Sequence, residues 1–533
     1  MTTPAPAVPA PSAFAPFRHR AFALLWTATL ISNIGTWMHD VSAAWLMTSL
    51  SPSPFIVSLV QAATTAAMAL FALPAGAMAD LFDRRRLLLG LTVVKFLLAG
   101  TLGVLAVLGL VDVWGLLLVT FLLGTASAFM APVWQSVVPS LVPRSDLKAA
   151  VGLNSAGMNV ARAIGPTVGG LIIVAAGAGA AFLLNALTEL VILAAVLLWT
   201  PAVVQSPRRA EQFLPAIAAG VRYAMHSAEL KIVLLRSAAF FLFASAFWAL
   251  LPLVVRTVLR AEASTYGLMV GAVGFGAVCG ALLLPRIDRH HGGDRMVLFG
   301  TLGMAAVLLV LAWVPLRAAA LAACLVAGVS WIFVLSSLNV AAQNALPDWV
   351  RGRGLSIYGF AFFGSMTLGA LFWGALASWA GLPVALAGAG LGVVVALLFV
   401  RRRRLPEGAL DLSPAGHWPE PVVALPLEQD DGPVMVLVEY RIDPARAAEF
   451  AVVMNRVAAE RRRDGAYQWG LMRDTADPVL FTEYFMVSSW TEHEHQHARV
   501  TRADADVQAE ARAFHVGPQP PRVRHLIAAG GDY

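Results

Sequence analysis

Five ionisable side chains stand inside stretches otherwise built from apolar residues: Asp40, Lys95, Arg162, Glu189 and Arg236. A charge in such surroundings is costly, so it persists where it pairs with an opposite charge or carries a proton or ion. A carboxylate can take up and release a proton there, whereas a guanidinium keeps its proton and can only hold a counter-charge. Lys95 and Arg236 lie near the ends of their apolar runs, where long side chains reach back to water and a structural role is expected. Arg162 lies roughly 21 Å along its run at 1.5 Å per residue, too deep for that. It needs a buried partner that Asp40 or Glu189 must supply, and one of these carboxylates is the expected proton carrier. Because a neighbouring cation weakens a carboxylate's hold on protons, the pair has to open during a working cycle.

A second group of charges forms a short connection, Gly76-Ala-Met-Ala-Asp80-Leu-Phe-Asp83-Arg84-Arg85-Arg86. Asp80 ends one apolar run beside Arg84 and Arg85, where a carboxylate can accept charge-assisted bonds or sit at a helix N-terminus. Further on, Arg162-Ala-Ile-Gly165-Pro166-Thr-Val-Gly169-Gly170 sets small residues where two helices can approach closely, with a proline to bend the axis. Gln135, Asn154, Asn159, Asn339, Gln343 and Asn344 are uncharged polar groups within apolar runs. Two roles stay open for them: contact with a small-molecule substrate, or hydrogen bonds from helix to helix.

The elements that carry these residues follow from composition. The chain is 58% hydrophobic and 13% charged, which excludes a soluble protein and indicates one embedded in a lipid bilayer. Its net charge of +6 does not point to nucleic acid, because the arginines sit at the ends of apolar runs. A bilayer core of about 30 Å takes roughly 20 apolar residues per helix. Twelve such runs are expected: 20–48, 54–79, 86–110, 114–138, 148–176, 180–200, 229–257, 264–284, 294–314, 318–345, 352–379 and 383–400. Arg and Lys gather in alternate connections, while the intervening ones hold only Arg256, Arg260 and Arg317. That asymmetry places both termini in the cytoplasm. No phosphate-binding Gly-x-x-x-x-Gly-Lys-Ser/Thr loop occurs, so a gradient rather than the chain's own ATP hydrolysis must drive any transport. Cys279 and Cys324 fall within apolar runs and read as small buried hydrophobes.

The chain also repeats itself. Gln135-Ser-Val-Val-Pro139-Ser-Leu-Val142 recurs as Gln343-Asn-Ala-Leu-Pro347-Asp-Trp-Val350, with Arg144 and Arg351 following, and the segment Gly280–Arg289, with Arg286, stands where a second copy of the charged connection would fall. Two parallel six-helix halves binding substrate between them have this symmetry. Between the halves, Pro207–Ala228 reads as an amphipathic helix at the membrane surface.

After Arg404 the composition turns polar. The order strand 434–442, helix 444–463, strand 467–473, strand 479–489, helix 491–514, strand 523–527 is that of a ferredoxin-like unit. Its apolar first strand suits burial on both faces. The aromatics of Tyr467-Gln-Trp469 and Phe481-Thr-Glu-Tyr484-Phe485 are expected to fill the face its helices leave open, against a second copy, with Arg461–Arg463 near the anionic leaflet. His493 and His497 share a helix face while His495 does not. With no third ligand evident in the sequence, the expectation is a solvated face, no metal and no cofactor.

The spacing Gly76, Asp80, Arg84, Arg85 resembles the signature loop between the second and third helices of the major facilitator superfamily. The resemblance implies a cytoplasmic gate formed by Gly76, Asp80, Arg84, Arg85 and Arg86, with Arg286 and Arg351 in the matching positions. Arg162–Gly170 resembles the exporter signature of antiporter branches. Together with Gly35-Thr36-Trp37, Ala131–Gln135, Pro347–Arg353, Arg463–Tyr467 and Ser489–His493, these segments resemble the transmembrane secretion effector branch, related to enterobactin exporters. The C-terminal segment resembles the small dimeric α/β-barrel domains of antibiotic-biosynthesis monooxygenases. The resemblance implies an all-α membrane protein of twelve transmembrane helices with a small α+β cytosolic domain, acting as a proton-coupled inner-membrane exporter of small molecules. Asp40, Arg162, Glu189, Gln135, Asn154, Asn339 and Gln343 would serve transport, and Gly165, Pro166, Gly169 and Gly170 helix packing. The expected divisions are a disordered tail 1–16, a first half 17–203, a linker helix 204–228, a second half 229–404, a linker 405–431 and the α+β domain 432–533. The alternative is a membrane-tethered enzyme with an oxygenase-like C-terminal domain.

Overall fold

Long apolar runs have no water to bond to in a bilayer, so each must satisfy its own N–H and C=O groups as a helix. The computed structural model describes residues 14–200, 213–406, 410–416, 418 and 431–528. Its helices before the C-terminal segment are α1 (Arg20–Leu50), α2 (Pro54–Leu81), α3 (Arg84–Val107), α4 (Val113–Val137), α5 (Leu147–Leu198), α6 (Phe213–His226), α7 (Ala228–Leu253), α8 (Ala263–Trp313), α9 (Arg317–Asn344), α10 (Arg351–Ala380) and α11 (Leu382–Val400). Their starts follow local chemistry. Asp83 accepts from the Arg86 N–H to cap α3, Asp112 accepts from Gly115 to cap α4, and Pro54 occupies the first turn of α2 where no N–H is needed.

Among the described residues eleven helical spans are long and apolar enough to cross a membrane, with α8 counted as two about Gly292. The twelve expected runs differ from this at 148–176 and 180–200. Those two form the single 52-residue α5, in which Gly177 alone leaves helical geometry, at φ 82°. A glycine tolerates that left-handed backbone and so redirects the chain without a loop.

The chain divides into two compact units. One comprises 1–210, 234–339 and 359–404. Within it α5 is held between α1 and α8 at backbone distance. A Cβ added at Gly165 would lie 2.8 Å from the Ile34 carbonyl oxygen, at Gly169 2.9 Å from Met38 Cα, and at Gly170 2.7 Å from the Ala263 carbonyl oxygen. Glycines on α8 answer them, since a Cβ at Gly267 would meet the Pro166 oxygen at 2.3 Å and one at Gly274 would meet Ala163 Cα at 2.7 Å. Gly267→Val should therefore force α5 and α8 apart and cost about 1–3 kcal/mol. A lowered melting temperature of the detergent-solubilised chain would register it. Gly152→Val, with nothing within 4 Å of the added Cβ, should leave the melting temperature unchanged. Phe22, Leu25, Leu88, Val133, Val137, Ile192 and Val196 form a buried cluster joining α1, α3, α4 and the end of α5.

The other unit comprises 211–233, 340–358 and 405–533. Its sheet strands are β1 (Val434–Arg441), β2 (Gln468–Arg473), β3 (Leu480–Val487) and β4 (Arg522–Ile527), in antiparallel order β2-β3-β1-β4. With these go α12 (Ala447–Asp464), α13 (Trp490–Arg499) and α14 (Arg502–Arg512). The helix expected at 491–514 is two helices, because Thr501 and Asp504 form a capping box that starts α14 anew. Strand alternation places Val434, Val436, Phe481, Phe485 and Trp469 in the helix-covered core. The aromatics expected on the open face are thus divided, with Tyr484, in register with Leu437, on the other side and Tyr467 exposed. α6 also belongs to this unit: Tyr223 is buried and donates to the Ala345 carbonyl at 2.9 Å, and Arg222 pairs with Glu492 at 2.8 Å. Of the expected surface helix 207–228, residues 207–212 lie outside the described residues.

Candidate functional site

The membrane-embedded charges are brought together differently from the expectation. Glu189, fully buried on α5, pairs with Lys95 of α3 at 2.6 Å and accepts from Ser32 Oγ of α1 at 3.1 Å. Lys95 therefore does not snorkel. Eleven residues past Arg84 put it roughly 16 Å into the span, beyond the reach of its stem. Arg236 is likewise buried, 3% exposed, and pairs with Asp294 of α8. Arg162 pairs with neither Asp40 nor Glu189. Its guanidinium stands over the Trp37 ring at 5.4 Å, a cation–π contact within α1 and α5, and its side chain is half-buried.

That leaves Asp40 as an accessible carboxylate about two-thirds of the way along α1, with no hydrogen bond or salt bridge among the described residues. It lies close enough to Lys95 and to Tyr266 of α8 to interact electrostatically with both. Next to it His39 is buried against Phe182, ring centroids 4.7 Å apart, and neither ring nitrogen has a partner. Sequence reasoning passed over His39. Adjacency to a membrane carboxylate was the available signal.

At one end of the bundle the helices of the two sequence halves are tied by polar contacts. Ser378 Oγ accepts from the Phe55 N–H at 2.9 Å and Arg256 donates to Thr48 at 2.8 Å and Ser49 at 2.6 Å, while Thr367 donates to Thr65 at 2.8 Å midway along α10 and α2. Phe55 opens α2, so this end is opposite the arginines that follow it. At the arginine end, Arg85 donates to the Val196 and Leu197 carbonyls at 3.2 and 2.7 Å, and Arg84 to the Ser136 carbonyl at 3.3 Å. These carbonyls close α5 and approach the end of α4, where an arginine complements both the unsatisfied oxygens and the helix dipole. Gly76 is half-buried in the last turns of α2, Arg86 and Arg286 are exposed, and Arg351 pairs with Asp348 at 2.7 Å. The Asp80 side chain lies outside the described residues. Asn154 accepts from Trp134 Nε1 at 3.0 Å and so ties α5 to α4, whereas Gln135 and Gln343 are exposed and Asn339 is half-buried.

The C-terminal unit holds a buried ionic network. Glu483, fully buried on β3, accepts from Arg461 Nε and Trp469 Nε1, each at 3.0 Å. Arg463 pairs with Asp464 at 2.9 Å and Asp504 at 2.6 Å. Of the three arginines expected near lipid, only Arg462 is exposed, because the last turn of α12 points two of them at internal carboxylates. Burial, reinforced by Asp504, raises the Glu460 carboxyl to about 8. The folded state therefore holds this proton more tightly than the unfolded chain. Its contribution is complete below about 4.5 and is lost as pH rises through about 8. Glu460→Gln should stabilise the unit at pH 8, on the order of 3 kcal/mol, and change little at pH 5. Trypsin resistance of the full chain, variant against wild type at each pH, measures this.

His493 and His497, one turn apart on α13, face each other with Nε2 atoms 3.2 Å apart. β4 brings His525 to them, a third histidine that no sequence spacing supplies. Burial, with His497 and His525 beside it, lowers His493 to about 3, and burial lowers His525 too. His495 is exposed off this face.

A family profile described as transmembrane secretion effector matches residues 11–532. The chain is 23% identical to the staphyloferrin A transporter of Staphylococcus aureus over 62% of this chain and 83% of that protein. It is 27% identical to the multidrug efflux pump Tap of Mycobacterium tuberculosis over 76% of this chain and 98% of Tap. It is 25% identical to the enterobactin exporter EntS of Shigella boydii over 73% and 94%. Among solved structures it is similar to an inward-facing, unoccupied bacterial homologue of the human lysosomal transporter Spinster, with TM-score 0.58 and 14% identity over 73% of this chain and 97% of that one. It is also similar to the nucleoside transporter NupG, with TM-score 0.60 and 10% identity over 72% and 99%. At these identities the structures speak to fold alone.

Proposed function

Because the chain belongs to the transmembrane secretion effector family, we propose that it is a secondary active exporter of small organic molecules, siderophore-like or drug-like, working by alternating access and driven by protons. The observation that carries this reading is Asp40: an accessible carboxylate deep in an apolar helix, within electrostatic reach of α3 and of α8 in the other sequence half. A group so placed can bind a proton and respond to movement of one half against the other. Staphyloferrin A and enterobactin, named for two of the relatives, are siderophores, and the third relative is a multidrug pump.

The finer architecture supports the same reading. At 1.5 Å per residue α5 is about 78 Å long, more than twice a bilayer core of about 30 Å. We read it as two crossings joined at Gly177, which makes twelve and leaves two halves of six. The arginine-rich connections then face the cytoplasm with both termini. Contacts between halves at the opposite end favour a state closed to the outside and open to the cytoplasm, as an exporter adopts to load. Gly76, Asp80, Arg84, Arg85, Arg86 and Arg286 form the cytoplasmic gate in this account. Gly165, Pro166, Gly169 and Gly170 are the surfaces on which α5 slides between α1 and α8. Arg162 and the polar Gln135, Asn154 and Asn339 border the substrate path. Lys95 and Glu189 brace α3 against α5.

We read the C-terminal sheet, with strand order β2-β3-β1-β4, as a ferredoxin-like unit. A second copy covering the sheet face of Met435, Leu437, Tyr484 and Met486 would make it a dimer, although neither the family nor the relatives support that assembly. They also give the tethered-enzyme alternative no support. The test of function is a mass-spectrometric profile of cells and medium with and without the protein. At least one small organic molecule should move from cells to medium when it is present, and identical profiles would refute export.

A further inference from the structure

We propose that His493, His497 and His525 form a binding site for a late first-row divalent cation of the zinc type, with one coordination position open. Their donor nitrogens all lie within 4.8 Å of one another. The 3.2 Å between the Nε2 atoms of His493 and His497 is the distance that matters most. Zinc–nitrogen bonds of about 2.0–2.1 Å at tetrahedral angles put neighbouring nitrogens about 3.3 Å apart. One edge of the tetrahedron is thus already in place. A turn of α13 fixes that edge, and β4 at the border of the sheet brings a His525 nitrogen within 4.8 Å of it.

The surroundings suit an ion better than a plain histidine pair. His493 is 1% exposed, so its paired Nε2 is shielded from water. Gln496, equally buried one turn along, lies beside it. The rings are also held in place. Trp490 packs against His493 and His525 at 5.3 and 6.2 Å, and Trp418 against His497 at 4.7 Å. Arg461, whose charge acts on His493, is neutralised by Glu483 at 3.0 Å, so its field opposes a second cation only weakly. Three imidazoles with no carboxylate among them select borderline ions over calcium or magnesium, which take oxygen ligands.

The site would pin α13 to β4. α13 is the helix whose Glu492 holds Arg222 of α6 at 2.8 Å, and Arg499 at its end lies over Trp349 at 4.6 Å. An ion here therefore stiffens the same helix that grips the linker helix and the segment after α9.

The experiment uses the tag-free full chain in detergent, stripped with chelator and given zinc, then freed of unbound metal by gel filtration. One equivalent of zinc should remain, and cobalt in its place should show the visible bands of tetrahedral coordination. His525→Ala, a change on an edge strand that leaves the core intact, should weaken zinc binding by about tenfold or more, as should His497→Gln. His495→Ala should leave binding unchanged. Zinc lost from the folded wild-type chain, or held equally well by His525→Ala, would overturn the proposal and leave a hydrogen-bonded histidine pair.

Discussion

Lys95→Leu should unfold or trap much of the protein, and Lys95→Leu with Glu189→Gln should recover its stability. Glu189 is completely buried, and its charge is met by Lys95 Nζ at 2.6 Å and Ser32 Oγ at 3.1 Å, with Oε2 unpartnered. Deleting the ammonium leaves a bare carboxylate between α1, α3 and α5. Breaking a buried pair in this way costs about 3–5 kcal/mol, whereas replacing both partners with neutral groups is often close to neutral. Melting temperature and monodispersity in detergent read the effect. If the single change costs nothing, Lys95 and Glu189 do not brace these helices. The double variant also bears on mechanism, because the account predicts that it still transports in response to a pH gradient.

Asp40→Asn has the opposite signature. Its carboxylate is accessible and makes no hydrogen bond or salt bridge among the described residues, so stability should be unchanged. A carboxamide cannot carry a proton. Substrate efflux driven by a pH gradient should fall by about a hundredfold or more, to the level of cells lacking the protein, a loss equivalent to about 2.7 kcal/mol of coupling. Counterflow, in which substrate on one side exchanges for substrate on the other, needs no net proton and should survive. Loss of both activities together would assign Asp40 to substrate binding, and retention of both would remove it from the coupling step.

The membrane character, the arginine connections and the small-residue face of α5 were legible in the sequence because each rests on a local pattern. Gly165, Gly169 and Gly170 announce close approach without knowledge of the neighbour. Partner choice was not legible. Arg162 looked as if it required a carboxylate, yet an aromatic face one helix away meets it, and Glu189 goes to a lysine. Depth along the helix could have corrected Lys95, since an ammonium some 16 Å from the span's end has no route to water.

In the C-terminal segment the succession of strands along the chain was readable from alternation. The break between α13 and α14 was also present in Thr501-Arg-Ala-Asp504, whose capping spacing outweighs the helical pattern on either side. His525 was out of reach. It comes to His493 only through the antiparallel pairing of β4 with β1, a contact across the chain with no spacing of its own.

The most direct test of gradient-driven export is made with the wild-type chain in liposomes, using the molecule whose level in the medium depends on the protein. An imposed pH gradient, with no ATP present, should drive that molecule against its own concentration gradient, with protons moving the opposite way. Uptake to equilibrium only, indifferent to the pH gradient and to a protonophore, would contradict the account.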